Sequence, residues 1–174
     1  MCIDLFEWAI ACKPVAIREA LTELPETPGI YLICVDFPAT LPEPFRSILA
    51  KRTHQTLIYI GQASKSLYKR VWEEECLHKS PGTFFRSVGV MLGYVSPSGG
   101  KNFEFQKADK EAITKWILRH LSVAWNTTID GAAIGSAEKA LIGRMCPLLN
   151  ITHNPQRLPL LLELRARSKR GIPV

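Results

Sequence analysis

The sequence predicts an α/β domain of the α+β kind, a small three-stranded sheet, mixed or antiparallel, flanked by helices. Three observations predict it. Short runs rich in β-branched and aromatic residues at 30–37, 57–60 and 122–128 are separated by stretches with helical periodicity. The 174 residues are one domain's worth, long enough to bury a core without staples. Apolar residues are 47% and charged residues 22%, ordinary globular usage that excludes a disordered tail, a fibre or a disulfide mini-scaffold.

The elements follow in order. Residues 6–24 read as a helix, with Phe6, Ile10, Ile17 and Leu21 on a helical repeat and Pro14 as a break point. A Pro-Glu-Thr-Pro-Gly turn at 25–29 precedes the first strand, whose dense apolar run suits burial on both faces. Pro38, Pro42 and Pro44 punctuate a loop, and 45–51 reads as a short helix. The second strand ends at Gly61. Ser64 or Ser66 then caps a helix running to about His78, with Leu67, Tyr68, Val71 and Trp72 on its apolar side. Residues 84–95 fit a buried helix or a strand equally. Ser96 to Gly100 is a loop. Ile113, Trp116, Ile117 and Leu121 mark an amphipathic helix over 109–121, which leads into the third strand. Residues 131–145 form a further helix striped by Ile134, Ala137, Leu141 and Met145, and stopped at Cys146-Pro147. Nothing divides the chain, so residues 1–174 are expected to be a single domain.

The balance of 22 basic and 16 acidic residues gives a net charge of +6, which favours a polyanionic partner such as nucleic acid. Cys2, Cys12, Cys34, Cys76 and Cys146 are odd in number and unpaired in spacing, so neither a zinc ribbon nor a disulfide framework is expected, and a reducing, cytoplasmic setting is. No apolar run approaches the ~20 residues that a membrane span needs. The opening residues carry Asp4 and Glu7 without a basic start, unlike a signal peptide.

The chemistry-bearing residues lie on these elements. The first strand opens Gly29-Ile30-Tyr31 and the second closes Tyr59-Ile60-Gly61. Lys69 and Arg70 follow on the next helix. Glu138 sits on a later helix, with Asn150 twelve positions beyond it. This ordered set resembles the GIY-YIG nuclease superfamily, and the glutamate–asparagine spacing is similar to that of its bacterial excision-repair members. The resemblance covers a core of about residues 28–154, with residues 1–24 as an N-terminal helical extension and residues 155–174 as a basic C-terminal tail. It departs from the minimal pattern in length. Tyr31 and Tyr59 are 28 positions apart because an insertion of about residues 36–56 joins the two strands, and the region between His78 and Asp109 is also long. Helical insertions of this kind point to the restriction-enzyme-like branch.

The resemblance implies a divalent-metal-dependent DNA endonuclease that hydrolyses phosphodiester bonds with Mg2+ or Mn2+. The residue types make physical sense for that reaction. Glu138 offers one hard carboxylate, enough for an ion that keeps several waters. Arg70 offers a bidentate fork for phosphate oxygens, with Lys69 as a point charge at the rim. Tyr31 is expected to act as general base, and Tyr59 to orient the water or the phosphate. A phenol with a reference pKa of ~10 needs help to do the former. Gly29, Gly61 and Asn150 support the site, and His78 is a candidate to reach the leaving group. Arg70 and Glu74, four apart on a helix, fall on one row.

Taken one by one, each residue has a plainer explanation: strand tyrosines, turn glycines, a surface ion pair, a helix-exit asparagine. It is the joint order that argues for a site. Arg46, Lys51, Arg52, Lys79 and Arg86 are further candidates to touch DNA phosphates, which would add affinity without sequence choice. No base-reading module is evident. Two rival readings use the same residues, a structure-selective repair or recombination nuclease and a catalytically weak DNA-binding module. One active site per chain makes a homodimer the natural way to cut two strands.

Overall fold

The computed structural model describes residues 4–80 and 82–172. Cys2 and the rest of the first three positions lie outside them, as do the last two. Along the chain come α1 (Leu5–Ala11), β1 (Val15–Ala16), α2 (Ile17–Ala20), β2 (Gly29–Val35), a 3-10 turn (Pro38–Thr40), α3 (Phe45–Leu49), β3 (Leu57–Ala63), a π-helix (Lys69–Cys76), α4 (Thr83–Met91), α5 (Lys107–His120), β4 (Leu121–Asn126), α6 (Ile134–Met145) and α7 (Pro159–Lys169).

The sheet has four strands in the order β1-β4-β2-β3, and every pairing is antiparallel. The expectation of three strands fails at the N-terminus. Pro14 breaks the helix expected over 6–24, because it offers no N–H and its ring crowds the preceding turn. The chain runs extended there, and Val15 and Ala16 pair with Val123 and Ser122.

Tyr31, Ile33 and Val35 point to one face of β2, against a core that includes Ile17, Phe84, Phe85, Ile113, Ile117 and Leu161. Ile30 and Leu32 point to the other face and pack with Ile134, Leu141, Ile142 and Met145. Helices cover both faces, which is why the strand has no polar alternation.

Of residues 84–95, those up to Met91 lie in helix α4, whose buried positions include Phe84, Phe85, Val88 and Val90, and the rest form a turn and an irregular stretch. The region beyond residue 154 is not a solvated tail. It forms α7, which packs on α4 and buries Leu161, Leu164, Arg165 and Ser168. The β3 strand continues through Gly61 to Ala63. The insertion over 36–56 folds back on the body, burying Leu41, Phe45 and Leu49.

The strand β3 is the sheet's edge, and its outer side is closed by the chain leaving α6. Cys146 adopts a left-handed conformation that turns the chain at the helix end. Leu149 N–H then donates to Ile58 O (2.8 Å), and the Asn150 side chain brackets Ile60, its Oδ1 accepting from Ile60 N–H (2.9 Å) and its Nδ2 donating to Ile60 O (2.9 Å). An edge that would otherwise carry open donors and acceptors is thereby sealed.

Candidate active site

Tyr31 and Tyr59 stand on neighbouring strands with ring centroids 6.3 Å apart. Tyr31 pairs directly across the ladder with Gly61, and its phenol lies over that glycine. A Cβ at position 61 would lie inside contact distance of Tyr31 Oη and Cζ, so the second tripeptide needs glycine to make room for the tyrosine of the first. Gly29 has a similar cause, since a Cβ there would meet Asn126 O and would come within 2.7 Å of Leu67 Cδ1.

Arg70 and its partners are placed by the π-helix. A π turn closes its hydrogen bonds over five residues, as in Leu77 N–H to Trp72 O (3.0 Å), so residues four and five positions on both flank the starting side chain. Arg70 accordingly meets two carboxylates. Its Nη1 bridges to Glu74 Oε2, and its Nη2 lies 3.1 Å from Glu75 Oε1. Its Nε donates to Tyr31 Oη at 3.4 Å. Tyr31 in turn donates its hydroxyl proton to Glu75 Oε1 at 2.7 Å.

Glu75 is the residue that sequence reasoning missed. Its side chain is 0% exposed, and Oε2 has no partner among the described residues. Burial raises its pKa above the usual carboxyl value, with Arg70 and Tyr31 working against the rise. No sequence signal marks it, because its five-residue offset from Arg70 is one that α-helical spacing does not favour.

Glu138 comes from α6 and shares a polar cavity of about 210 Å³ with Tyr59, Asn150, Thr83, Thr152 and His153. It is half-buried and makes no hydrogen bond or ion pair with a described residue. Burial raises its pKa, Arg70 opposes the rise, and Glu75 adds to it, so the carboxylates and the guanidinium feel one another. Tyr59, 6% exposed, is the phenol that lines this cavity. Tyr31 is 0% exposed and lines neither this cavity nor the neighbouring cleft of Gln62, Ser64, Lys65, Ser66, Lys69, Arg70 and Glu74. Both phenols have raised pKa values, through burial first and the Glu75 charge second. Both therefore stay protonated as the chain stands.

Tyr31, Tyr59, Arg70, Glu138 and Asn150, spread over 120 positions, thus converge, and Lys69 lies exposed in the cleft at the rim. His78 does not join them. It is buried, stacks on Phe85 (centroids 4.7 Å) and has its pKa pushed down to about 4 by burial, then by Lys110 and Arg86. Several basic candidates for phosphate contact are also committed elsewhere. Arg52 donates to Cys146 O and Gln156 O (2.7 Å), tying the insertion to the segment after α6. Arg86 is buried and donates to Gly82 O (2.9 Å). Arg46 pairs with Glu43 and Lys79 with Glu73, each at 2.7 Å, on the surface, whereas Lys51 is simply exposed.

Among the described residues no group of three or more His, Cys, Asp or Glu could hold a metal ion. An ion that takes one or two carboxylates and keeps its waters, as Mg2+ does, needs no such group. Glu138, unpaired beside a polar cavity, is the residue that fits.

One phenol, Tyr59, and one unpaired carboxylate, Glu138, line a polar cavity on a covered antiparallel sheet, with the Arg70 guanidinium close enough to act on both electrostatically. A family model described as the GIY-YIG catalytic domain matches residues 29–169, and the chain belongs to that family. The match runs past residue 154 and takes in α7, so the C-terminal helix is part of the catalytic domain. No curated protein and no solved structure matches the chain. No described helix is long and apolar enough to cross a membrane.

Proposed function

We propose that the protein is a divalent-metal-dependent DNA endonuclease of the restriction type, with Tyr59, Arg70 and Glu138 acting on the scissile phosphodiester. The observation that carries the reading is the meeting of Glu138 and Tyr59 in one cavity, with Arg70 close enough to act electrostatically on both.

Glu138 would hold Mg2+ or Mn2+, which supplies charge stabilisation and lowers the pKa of a bound water. The chain's own groups do the rest. Arg70 offers N–H donors to the non-bridging phosphate oxygens as charge builds. Tyr59, kept protonated by burial, donates a hydrogen bond that orients the water or the phosphate. Asn150 fixes Ile60 and so the strand that carries Tyr59. Tyr31 is better suited to holding Arg70 than to the base role expected for it, because its hydroxyl donates to a buried carboxylate and does not reach the cavity. The restriction-type assignment rests on the two long connections. A homodimer would bring a second cavity to the second strand.

Plasmid cleavage with Mg2+ tests the reading, with Glu138→Ala as control. Wild type should nick or cut and the variant should lose at least a hundredfold in rate, on the scale of removing a charge-stabilising group. Equal cleavage by Glu138→Ala would refute it. Comparing linear, flapped and four-way substrates separates a sequence-specific enzyme from a structure-selective one. Tyr59→Phe should cost more turnover than Tyr31→Phe, and the reverse order would restore Tyr31 as the base.

A further inference from the structure

Two adjacent glutamates hold Arg70, and they differ in every respect that matters for a substrate. Glu75 is fully enclosed. Its Oε1 is shared between Tyr31 Oη (2.7 Å) and Arg70 Nη2 (3.1 Å). Its Oε2 is packed against Gly82, where even a Cβ would approach to 3.1 Å. Glu74 sits on the solvent side. Its side chain is 33% exposed beside an Arg70 side chain that is 30% exposed, and it bridges to Nη1 at the wall of the cleft with Lys65 and Lys69. This cleft has a volume of about 220 Å³ and is open to solvent where Glu74 lies.

A phosphodiester that reaches Arg70 from solvent arrives where the Glu74 carboxylate already sits. Both are anions and both want the outer N–H groups of one guanidinium, whose inner side is taken by Tyr31 and Glu75. They cannot share it without like-charge repulsion.

We propose that Glu74 is an internal stand-in for the substrate phosphate: it occupies Arg70 in the free enzyme and is displaced when DNA binds, while Glu75 remains as the fixed anchor that keeps the guanidinium aimed. Glu74 thus sets a threshold for substrate entry, and Glu75 is a positioning residue that acts through Arg70. The bridge is a third exposed and so weak enough to exchange, since a solvent-facing ion pair is screened by water and salt. The buried anchor has nowhere else to go. The inference rests on the reading of this site as a phosphodiester nuclease.

The test measures binding of a short fluorescent DNA duplex by anisotropy without metal, and then cleavage with Mg2+, for wild type, Glu74→Gln, Glu75→Gln and Glu73→Gln. Glu73 lies beside Glu74 in sequence, is paired with Lys79, and changes the net charge equally when replaced. Glu74→Gln should tighten binding roughly two- to fivefold, more than Glu73→Gln does, as expected for loss of a competing ion pair. Glu75→Gln should leave the dissociation constant within about threefold and lower turnover at saturating DNA by at least tenfold, a split that loss of folding would not produce. Circular dichroism of each variant confirms that it is folded. Binding by Glu74→Gln that is unchanged, weaker, or matched by Glu73→Gln would overturn the displacement. Turnover by Glu75→Gln equal to wild type would overturn the anchor. Wild type that neither binds nor cuts DNA would instead remove the nuclease reading on which both depend.

Discussion

At Ile60 the outer edge of β3 is held by one side-chain amide, and its removal has a calculable cost. Ile60 points both of its backbone polar groups away from the sheet, and the Asn150 side chain satisfies both, each at 2.9 Å and buried. Asn150→Ala deletes both partners and leaves a buried donor and a buried acceptor unmet. Each unmet group costs about 1–3 kcal/mol, so the expected loss is about 2–6 kcal/mol. For a chain of this size that lowers the melting temperature by about 4–24 °C. Urea unfolding followed by tryptophan fluorescence measures it, with an unchanged slope showing that the midpoint shift is a stability change. Asn150→Asp sharpens the test. One carboxylate oxygen can still accept from Ile60 N–H, but the other faces Ile60 O, so at neutral pH the variant should be at least as unstable as Asn150→Ala. The folded state then favours the protonated acid, which can donate to Ile60 O. The carboxyl pKa is raised on folding, so this variant should regain stability as pH falls through the carboxyl range. A loss below about 1 kcal/mol for Asn150→Ala, or an Asp variant as stable as wild type at pH 7, would refute the bracket as a structural contact of any weight.

Other outcomes follow from the same geometry. Gly61→Ala should push the Tyr31 phenol off Arg70 and Glu75, costing about 1–3 kcal/mol of stability as overpacking does, together with most of the activity; a variant that cuts normally would sink the steric account of the second tripeptide. His78 has its pKa lowered from 6.5 to about 4 by burial against Phe85, so the stability it contributes is present above pH 6.5 and is lost as pH falls towards 4, by up to about 3 kcal/mol. A non-titrating His78→Asn, which tolerates the positive φ of 52° there, should flatten that acid limb in melts across pH, and an identical limb would assign it to other groups. Arg52→Ala should lower stability by about 1–3 kcal/mol through the part-buried Cys146 carbonyl left unmet, without changing the salt dependence of DNA binding; a shallower salt slope would return Arg52 to the phosphate contacts.

Much of this site could be read from the chain, and the misses have physical causes. Tyr31, Tyr59 and the two glycines were legible through their joint order, since a strand tyrosine or a turn glycine alone is ordinary; the steric reason for Gly61 beside Tyr31 shows only in the folded sheet. Arg70 and Glu138 were legible only as an ordered set, since neither residue alone differs from a helix-surface charge. Glu75 was hidden because helical reading assumes 3.6 residues per turn, and the wider π turn moves the working offset from Arg70 by one. Arg86 and Arg165 looked like surface cations. A long basic side chain on an amphipathic helix reads the same whether its head meets solvent or, as for Arg165, Thr83 O (2.9 Å) and Ser87 Oγ (3.0 Å). The two-residue strand after Pro14 was too short to show a period at all.

The Asn150 bracket spans ninety positions, and that distance has a bearing on when the border strand can be sealed. A growing polypeptide exposes the tyrosine-bearing border strand long before its sealing amide has been synthesised, because contacts so remote in order form late. A chain that stops short of that asparagine leaves this flank uncovered, a sticky border open to pairing with another copy.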